Sequence, residues 1–159
     1  MFDAPFDATY AWLGVALVSV ATAGVAATLP ASPPPDASGV AHTIDSVADG
    51  EYPATAEHGL SADRVRITTG TVSLRSDGGT ARATLLAART TPVAPPGRAD
   101  GDLRRVLDGV PPDRVFADPD AFAAAATTAR DGPHEWRAAP NRLTIRQVHY
   151  GDVRVTLVG

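Results

Sequence analysis

The chain has 159 residues and a formal net charge of −4 at pH 7, and this mildly acidic balance argues against nucleic-acid binding by the whole protein. It contains no cysteine, which excludes disulfides, a thiol nucleophile and thiolate metal ligands. Lysine is also absent, so arginine carries every permanent positive side-chain charge, and aspartate outnumbers glutamate.

The N-terminal part of the chain contains a long segment without charge. No charged side chain occurs between Asp7 and Asp36, and most of this gap is an apolar run over residues 10–29. About 20 residues at about 1.5 Å rise each are enough to cross a hydrocarbon core of about 30 Å. The sequence therefore predicts an N-terminal tail over 1–9 and a single transmembrane helix over 10–29, with the lipid bilayer as a partner.

Two other interpretations of the apolar run stay open. A cleaved secretory signal is compatible with the small residues around Ala26 and Ala31, although the residues before the run include two aspartates and no basic side chain. A buried helix of a soluble protein is the third interpretation. The positive-inside rule gives little help with orientation, because no Lys or Arg precedes Arg64.

A proline-rich segment, residues 30–37, follows the apolar run and is typical of a semi-rigid spacer. Such a spacer suits a folded domain held away from a surface. We therefore expect a protein of the cell membrane that spans it once, with the C-terminal domain outside the cell.

Residues 38–159 are expected to form one soluble domain that begins with a helix over 38–49. In this segment Val40, Ile44 and Val47 share one helical face, and Asp36 or Ser38 can cap the first turn. The hydrophobic period then changes to two over residues 64–87, with turn signals at 69–70 and 77–79. This pattern predicts a three-stranded antiparallel meander.

Weaker signals follow in the middle of the domain. Residues 90–100 are rich in proline and are expected to hold no regular structure. Residues 102–108 predict a short helix, and a short strand is compatible with residues 114–116.

The signals strengthen toward the C-terminus. Asp118 as N-cap, Pro119 at the first helical position and Gly132 after the last turn predict a helix over 119–130. Residues 142–159 predict a β-hairpin with its turn near Tyr150 and Gly151. On this pairing Leu143 and Ile145 are expected to face the apolar residues of the last strand, which are Val153, Val155 and Leu157.

These elements predict an α+β domain with one antiparallel sheet of about five strands, one face covered by helices and the other solvated. Seven arginines occupy strand positions that alternate with apolar residues: Arg64, Arg66, Arg75, Arg82, Arg142, Arg146 and Arg154. They form the candidate partner-binding face, which could dock an acidic partner or a polyanion. The alternative is an ordinary solvated face with charges that protect the sheet edges.

No motif for catalysis is present. A glycine-rich phosphate loop, a nucleophile elbow, a zinc-protease helix and an EF-hand spacing are all missing from the sequence. His42, His58, His134 and His149 lie on four different predicted elements, which does not favour a metal site or a general base. Trp136, with Glu135 before it, is expected to be a core or boundary aromatic. We therefore expect no enzyme activity, no cofactor and no metal.

The chain resembles a family of haloarchaeal membrane proteins of unknown function over nearly its whole length. The resemblance rests on the opening MFDAPFDATYAWLGVALVSVA, the spacer PPPD, the stretch EYPATAEHGLSADRVRI, the meander core SLRSDGGTARATL and the closing DVRVTLVG. It implies a pilin-like layout and an association with archaeal type IV pilus or secretion-like systems. The chain departs from the pilin pattern at Asp7, Ala8 and Thr9, which stand in place of a basic residue and glycine, so peptidase processing and filament assembly do not follow from the resemblance.

The sequence thus predicts a membrane-anchored, non-catalytic structural or interaction protein with a protein partner in a membrane or surface assembly. A cell-surface module that binds or senses an anionic ligand is the alternative. An enzyme with a site assembled from scattered residues is the third class.

Overall fold

A computed structural model describes residues 32–87, 90–95 and 101–159. The predicted tail over 1–9 and the predicted transmembrane helix over 10–29 lie outside these residues. Among the helices that are described, none combines the length and the apolar character needed to span a bilayer.

The described residues form an α+β domain with three α-helices, one short 3₁₀ helix at Pro112–Arg114 and eight strands. The helices are α1 (Ala37–Ala48), α2 (Gly101–Leu107) and α3 (Pro119–Asp131). The strands are β1 (Thr55–Gly59), β2 (Arg64–Ile67), β3 (Thr71–Ser76), β4 (Gly79–Thr84), β5 (Thr91–Pro92), β6 (Arg137–Ala138), β7 (Arg142–Tyr150) and β8 (Val153–Val158). The three predicted helices, the meander and the C-terminal hairpin are confirmed.

Aspartate caps begin the two longer helices. The Asp36 carboxylate accepts a hydrogen bond from Gly39 N at 2.8 Å at the start of α1, and Asp118 accepts one from Ala121 N at 2.7 Å at the start of α3. Each cap satisfies a backbone donor that has no partner within the helix, which is worth about 1 kcal/mol. These local signals explain why the helix starts could be predicted from the sequence.

The strands form two sheets, so the predicted single sheet of about five strands is wrong. The central sheet has the order β1-β7-β8-β5, and the meander sheet has the order β4-β3-β2-β6. All pairs are antiparallel except β5 with β8. A period of two identifies strands and their faces but does not identify their neighbours, and this is why one sheet was expected.

Helix α1 packs against strands of both sheets and forms the first core with them. Ile44 is fully buried at the centre of this core, together with Val65 and Leu74 from the meander sheet and Leu143 and Ile145 from the central sheet. Apolar side chains that leave water in this way provide the main stabilisation of the domain.

The second core lies on the opposite face of the central sheet. Phe122 of α3 and Val106 of α2 pack there against Val148, Val155 and Leu157. The expectation that the face away from the helices is solvated is therefore wrong for the central sheet, because α1 covers one of its faces and α2 and α3 cover the other.

The hairpin register also differs from the expected one. Val148 pairs with Val155, and Ile145 pairs with Val158. Opposite residues of a ladder lie on one face, so Ile145 and Leu143 belong to the first core, while Val155 and Leu157 belong to the second. The expected contact of Leu143 and Ile145 with Val153, Val155 and Leu157 does not form.

Two predictions for the middle of the domain are wrong. Residues 90–100 were expected to lack regular structure. Within this segment Thr91–Pro92 forms the edge strand β5, where a proline is tolerated because its missing N–H faces no partner strand, and residues 96–100 lie outside the described residues. The strand compatible with 114–116 is replaced by the 3₁₀ helix, in which Val115 N donates to Pro112 O at 3.0 Å. Pro111 and Pro112 have fixed φ angles that favour this turn.

Candidate interaction site

The structure divides the seven candidate arginines between the two sheets. Four of them, Arg64, Arg66, Arg75 and Arg82, belong to the meander of β2, β3 and β4. The other three, Arg142, Arg146 and Arg154, belong to β7 and β8 of the central sheet. The seven residues therefore do not form one face of one sheet.

The four meander arginines share the outward face of their sheet, which is called the arginine face below. On β2 and β3 their neighbours in sequence, Val65, Ile67, Val72 and Leu74, are all buried in the first core. Because successive side chains of a strand point to opposite faces, the arginines lie on the face away from α1. Arg64, Arg75 and Arg82 are exposed, and Arg66 is half-buried.

Cross-strand pairing brings these guanidinium groups together. Arg64 lies directly opposite Arg75, and Ser73 lies between Arg66 and Arg82 in the next row. Arg82 Nε donates to Ser73 Oγ at 3.3 Å, and Ser73 is almost completely buried. Like charges directly opposite each other destabilise a sheet, so the pair of Arg64 and Arg75 has an electrostatic cost.

Trp136 lies across the arginine face and contacts three of its members. The Cζ atom of Arg66 is 5.1 Å from the centre of the Trp136 ring, and that of Arg75 is 4.7 Å from it. Arg64 Nη2 donates to the Trp136 carbonyl oxygen at 2.9 Å. Cation–π contacts within about 6 Å are attractive, so Trp136 holds two guanidinium groups in place on the surface.

Among the described residues, no carboxylate forms an ion pair with this cluster. The ion pairs found among the described residues involve Arg104, Arg105 and Arg142, and none of them includes an arginine of the arginine face. Arg66 Nε is buried and has no hydrogen-bond partner. A guanidinium group presents five N–H donors in a fork that matches carboxylate and phosphate oxygens, so this face has the chemistry to bind an anionic group that the described residues do not supply.

The three arginines of the central sheet are placed differently. Arg142 Nη1 lies 2.9 Å from a carboxylate oxygen of Glu57 and is already paired. Arg146 is half-buried next to the loop after α2, where its Nη1 would lie 3.3 Å from a Cβ atom added to Gly109. Arg154 is exposed opposite His149, on the other face of the sheet from Arg146. These three residues do not form a shared surface.

A cleft of about 550 Å³ adjoins Trp136. Its lining comes from β2, from β5 and the residues after it, from the end of α3 and from residues 132–137. The lining residues are Ile67, Pro92, Val93, Ala94, Pro95, Thr128, Ala129, Gly132, Pro133, His134, Glu135, Trp136 and Arg137. Arg137 is half-buried there, and burial together with the positive charge of Arg104 lowers the pKa of Arg137 below its ordinary value. The sequence interpretation did not single out this residue.

The histidines have ordinary structural contacts or none. His58 Nδ1 lies 2.8 Å from Thr43 Oγ1, and His134 Nε2 lies 3.0 Å from the Arg130 carbonyl oxygen. His149 Nε2 is buried without a partner. Within the described ranges, no three His, Cys, Asp or Glu side chains are grouped so that they could hold a metal ion.

Trp136 is half-buried and is therefore a boundary aromatic, as expected, but the sequence did not show that it lies beside the arginines. This position is set by the short strand β6, whose Ala138 pairs with Arg64, more than 70 positions earlier in the chain. A two-residue strand between prolines is too short to show a periodicity. The only signal for this strand in the sequence is the apolar Trp136 followed by the charged Arg137 just before the last hairpin.

Taken together, these features define an α+β domain with a cationic, tryptophan-centred surface on one of its two sheets. The chain matches a family described as a family of unknown function (DUF7283) over residues 3–148, so it belongs to that family. Comparisons with curated proteins and with solved structures gave no significant match. Haloarchaeal origin and a pilin-like role stay predictions.

Proposed function

We propose that this protein is a membrane-anchored, non-catalytic interaction protein that docks an acidic protein partner through the arginine face. The observation that carries the proposal is the cluster of Arg64, Arg66, Arg75 and Arg82. Trp136 contacts the first three of them, and no carboxylate of the described residues is within ion-pairing distance. Like charges on neighbouring strands repel each other, and an acidic partner relieves this repulsion on binding. A charged surface of this kind also raises the rate of association with an oppositely charged partner.

The anchor in this proposal is the apolar run over residues 10–29, which lies outside the described residues. An anchor restricts the domain to the membrane and so raises its effective concentration near a partner in the same membrane. The resemblance to haloarchaeal membrane proteins extends the proposal to an accessory role in an archaeal type IV pilus-like or secretion system, with the domain outside the cell.

A second function, binding or sensing of a free anionic ligand at the cell surface, is favoured by one observation. The Trp136 ring contacts the guanidinium groups of Arg66 and Arg75 at the same surface. An aromatic ring beside cations suits a ligand that carries both an apolar part and an anionic group.

Site-specific photo-crosslinking in intact cells tests the docking of a partner. Lysine is absent, so amine-reactive crosslinkers are of little use. A photoreactive phenylalanine analogue is therefore placed at Thr84, which is exposed on edge strand β4 in the same alternation as Arg82. We expect one specific crosslinked protein, and we expect it to disappear in the double variant Arg66→Glu/Arg75→Glu.

The matched control is Arg142→Glu/Arg154→Glu, which changes the net charge by the same amount on the central sheet. This control should retain the crosslinked product, and circular dichroism should show that both double variants are folded. Loss of the product in both variants to the same degree, or its persistence in both, would refute docking through the arginine face. Crosslinking that is absent from the wild type while anionic polymers bind would favour the second function.

The absence of cysteine gives a direct test of the membrane topology. Ser32→Cys, placed in the spacer, should react with a membrane-impermeant maleimide on intact cells if the domain is outside. Protection until lysis places the domain inside the cell. Recovery of the full-length chain in the aqueous fraction after detergent-free lysis would contradict the anchor.

A further inference from the structure

The cleft next to Trp136 has the size and the walls of a site for a small organic molecule. Its volume of about 550 Å³ is within the range of about 300–1,000 Å³ that is typical of ligand pockets. Ile67, Val93 and Ala129 are buried apolar residues in its lining, and prolines line it as well. Such walls favour an apolar ligand body, because its transfer from water into the cleft is favourable.

One strong charge lies in these apolar walls. Arg137 on β6 is half-buried, and its guanidinium group makes a single hydrogen bond to the described residues, from Nη1 to Val93 O at 3.0 Å. None of the ion pairs found in the described ranges includes it. A guanidinium group has five N–H donors, so the described residues leave most of the hydrogen-bonding capacity of Arg137 unused.

A half-buried cation without a counter-charge is costly for the folded state, because burial removes part of its hydration. The lowered pKa of Arg137 has this cause, with a further contribution from the charge of Arg104. A carboxylate in the cleft would supply the missing counter-charge and a bidentate acceptor for the unused donors.

Glu135 is the one acidic residue in the lining and opposes an anion, but its side chain is exposed and therefore screened by solvent. His134 Nε2 is already within 3.0 Å of the Arg130 carbonyl oxygen. Arg137 is thus the group in the described lining that determines the charge of the ligand.

We propose that this cleft binds a small organic monocarboxylate, with its apolar body against Val93, Ala129 and Trp136 and its carboxylate paired with Arg137. The site is separate from the arginine face, since Arg137 pairs in register with Val65, a residue of the first core. Trp136 contacts the arginine face and also lines the cleft.

The test uses the full-length chain in lipid nanodiscs with 4-phenylbutyrate as the probe. The chain has two tryptophans, so a Trp12→Phe background leaves Trp136 as the only tryptophan, and its emission, excited selectively over that of tyrosine, reports on the cleft. The matched probes are 4-phenylbutan-1-ol and 4-phenylbutylamine, which keep the apolar body and replace the carboxylate. Empty nanodiscs provide the blank for partition into lipid.

We expect 4-phenylbutyrate to bind at least about tenfold more tightly than either matched probe, because hydrogen bonds between a guanidinium and a carboxylate are stronger than those to neutral groups. Arg137→Gln should remove this preference and leave alcohol binding unchanged. Thr128→Phe, which places a large side chain from the last turns of α3 at the cleft without adding a second tryptophan, should weaken binding of the acid and the alcohol alike.

The control variant is Arg75→Gln, which removes the same charge from the other contact surface of Trp136. It should leave the dissociation constant for the acid unchanged within about twofold. An equal loss in Arg75→Gln and Arg137→Gln would place the acid on the arginine face and overturn the proposal. Equal affinities for acid and alcohol, or no saturable binding of any probe at millimolar concentration, would also overturn it.

Discussion

The central sheet and the meander sheet are built from the same alternation of arginine and apolar residues, but they use it differently. In the central sheet both faces carry a core, with α1 on one and α2 and α3 on the other. In the meander sheet one face packs on α1, and the other carries Arg64, Arg66, Arg75 and Arg82 in contact with solvent and Trp136.

The difference shows which charges serve the fold. In the central sheet Arg142 is paired with Glu57, and the three arginines of that sheet are separated from one another. In the meander sheet the arginines are grouped, and none has a carboxylate partner among the described residues. Grouped like charges reduce stability, and this cost is the basis of the proposal that the arginine face docks an acidic partner.

The largest expected effect concerns the second core of the central sheet. Phe122 is fully buried between α3 and this sheet. Phe122→Ala should lower the free energy of unfolding by about 3–5 kcal/mol, through lost burial and the cavity left behind. Leu86→Ala, at a residue that is 85% exposed, should change it by less than about 0.5 kcal/mol. Denaturant titration measures both, and a small effect of Phe122→Ala would contradict a sheet with cores on both faces.

Asp45 connects α1 to the end of the meander sheet. One of its carboxylate oxygens accepts hydrogen bonds from Leu86 N at 3.0 Å and Ala87 N at 2.9 Å. Asp45→Ala should reduce stability by about 1–2 kcal/mol, because two backbone donors lose a charged acceptor. Asp45→Asn, which keeps an acceptor oxygen, should lose less.

Amide hydrogen exchange shows whether the Asp45→Ala substitution affects the two sheets differently. In Asp45→Ala the amides of β4 should exchange faster, while those of β7 should keep their protection until the domain unfolds globally. Equal acceleration in both sheets would show that the meander sheet does not respond independently.

Local chemistry explains which parts of this fold were predictable. Asp118 and Pro119 specify the start of α3 through a cap and a fixed φ angle, so nearby residues suffice. Strand β1 has the sequence TAEHG without any large aliphatic residue, and it exists because β7 pairs with it from far along the chain. Such partners leave no periodic signal in a strand this polar.

The candidate site was predictable to a similar degree. The alternation of polar and apolar residues placed Arg64 and Arg66 on the same face of β2. It also placed the arginines of β3 and β4 on one face of their own strands, and hairpin pairing joined these three faces into one surface. The separation of Arg142 and Arg154 from them depends on the division into two sheets, which no local pattern reveals. Arg137 could not be recognised, because a cleft is formed by segments that meet only in three dimensions.

Trp136 gives an effect of intermediate size. Trp136→Leu removes two cation–π contacts with Arg66 and Arg75, each worth about 0.5–1 kcal/mol at an exposed site. We therefore expect a loss of about 1–2 kcal/mol in the free energy of unfolding, measured by denaturant titration. Trp136→Phe keeps an aromatic ring and should lose less. Equal losses in the two variants would show that apolar area, rather than the aromatic face, accounts for the effect.

The smallest expected change in stability comes from replacing one exposed arginine in each sheet, and it compares the two sheets most directly. Arg142→Gln removes an exposed ion pair with Glu57, which is worth about 0.2–1 kcal/mol, and its cost should shrink as salt screens the pair. Arg75→Gln removes a like charge directly opposite Arg64, so it relieves a repulsion that salt also screens.

The difference in unfolding free energy between variant and wild type should therefore change with salt in opposite directions at the two positions. Raising the salt concentration brings Arg142→Gln closer to the wild type, whereas it removes the benefit of Arg75→Gln and exposes the loss of its contact with Trp136. Denaturant titrations at low and high salt measure, for each of these arginine-to-glutamine variants, the slope of this free-energy difference against salt concentration. Slopes of the same sign would mean that a negative charge already compensates Arg75 in the protein. The presence of grouped arginines without counter-charges could then no longer distinguish the meander sheet from the central sheet.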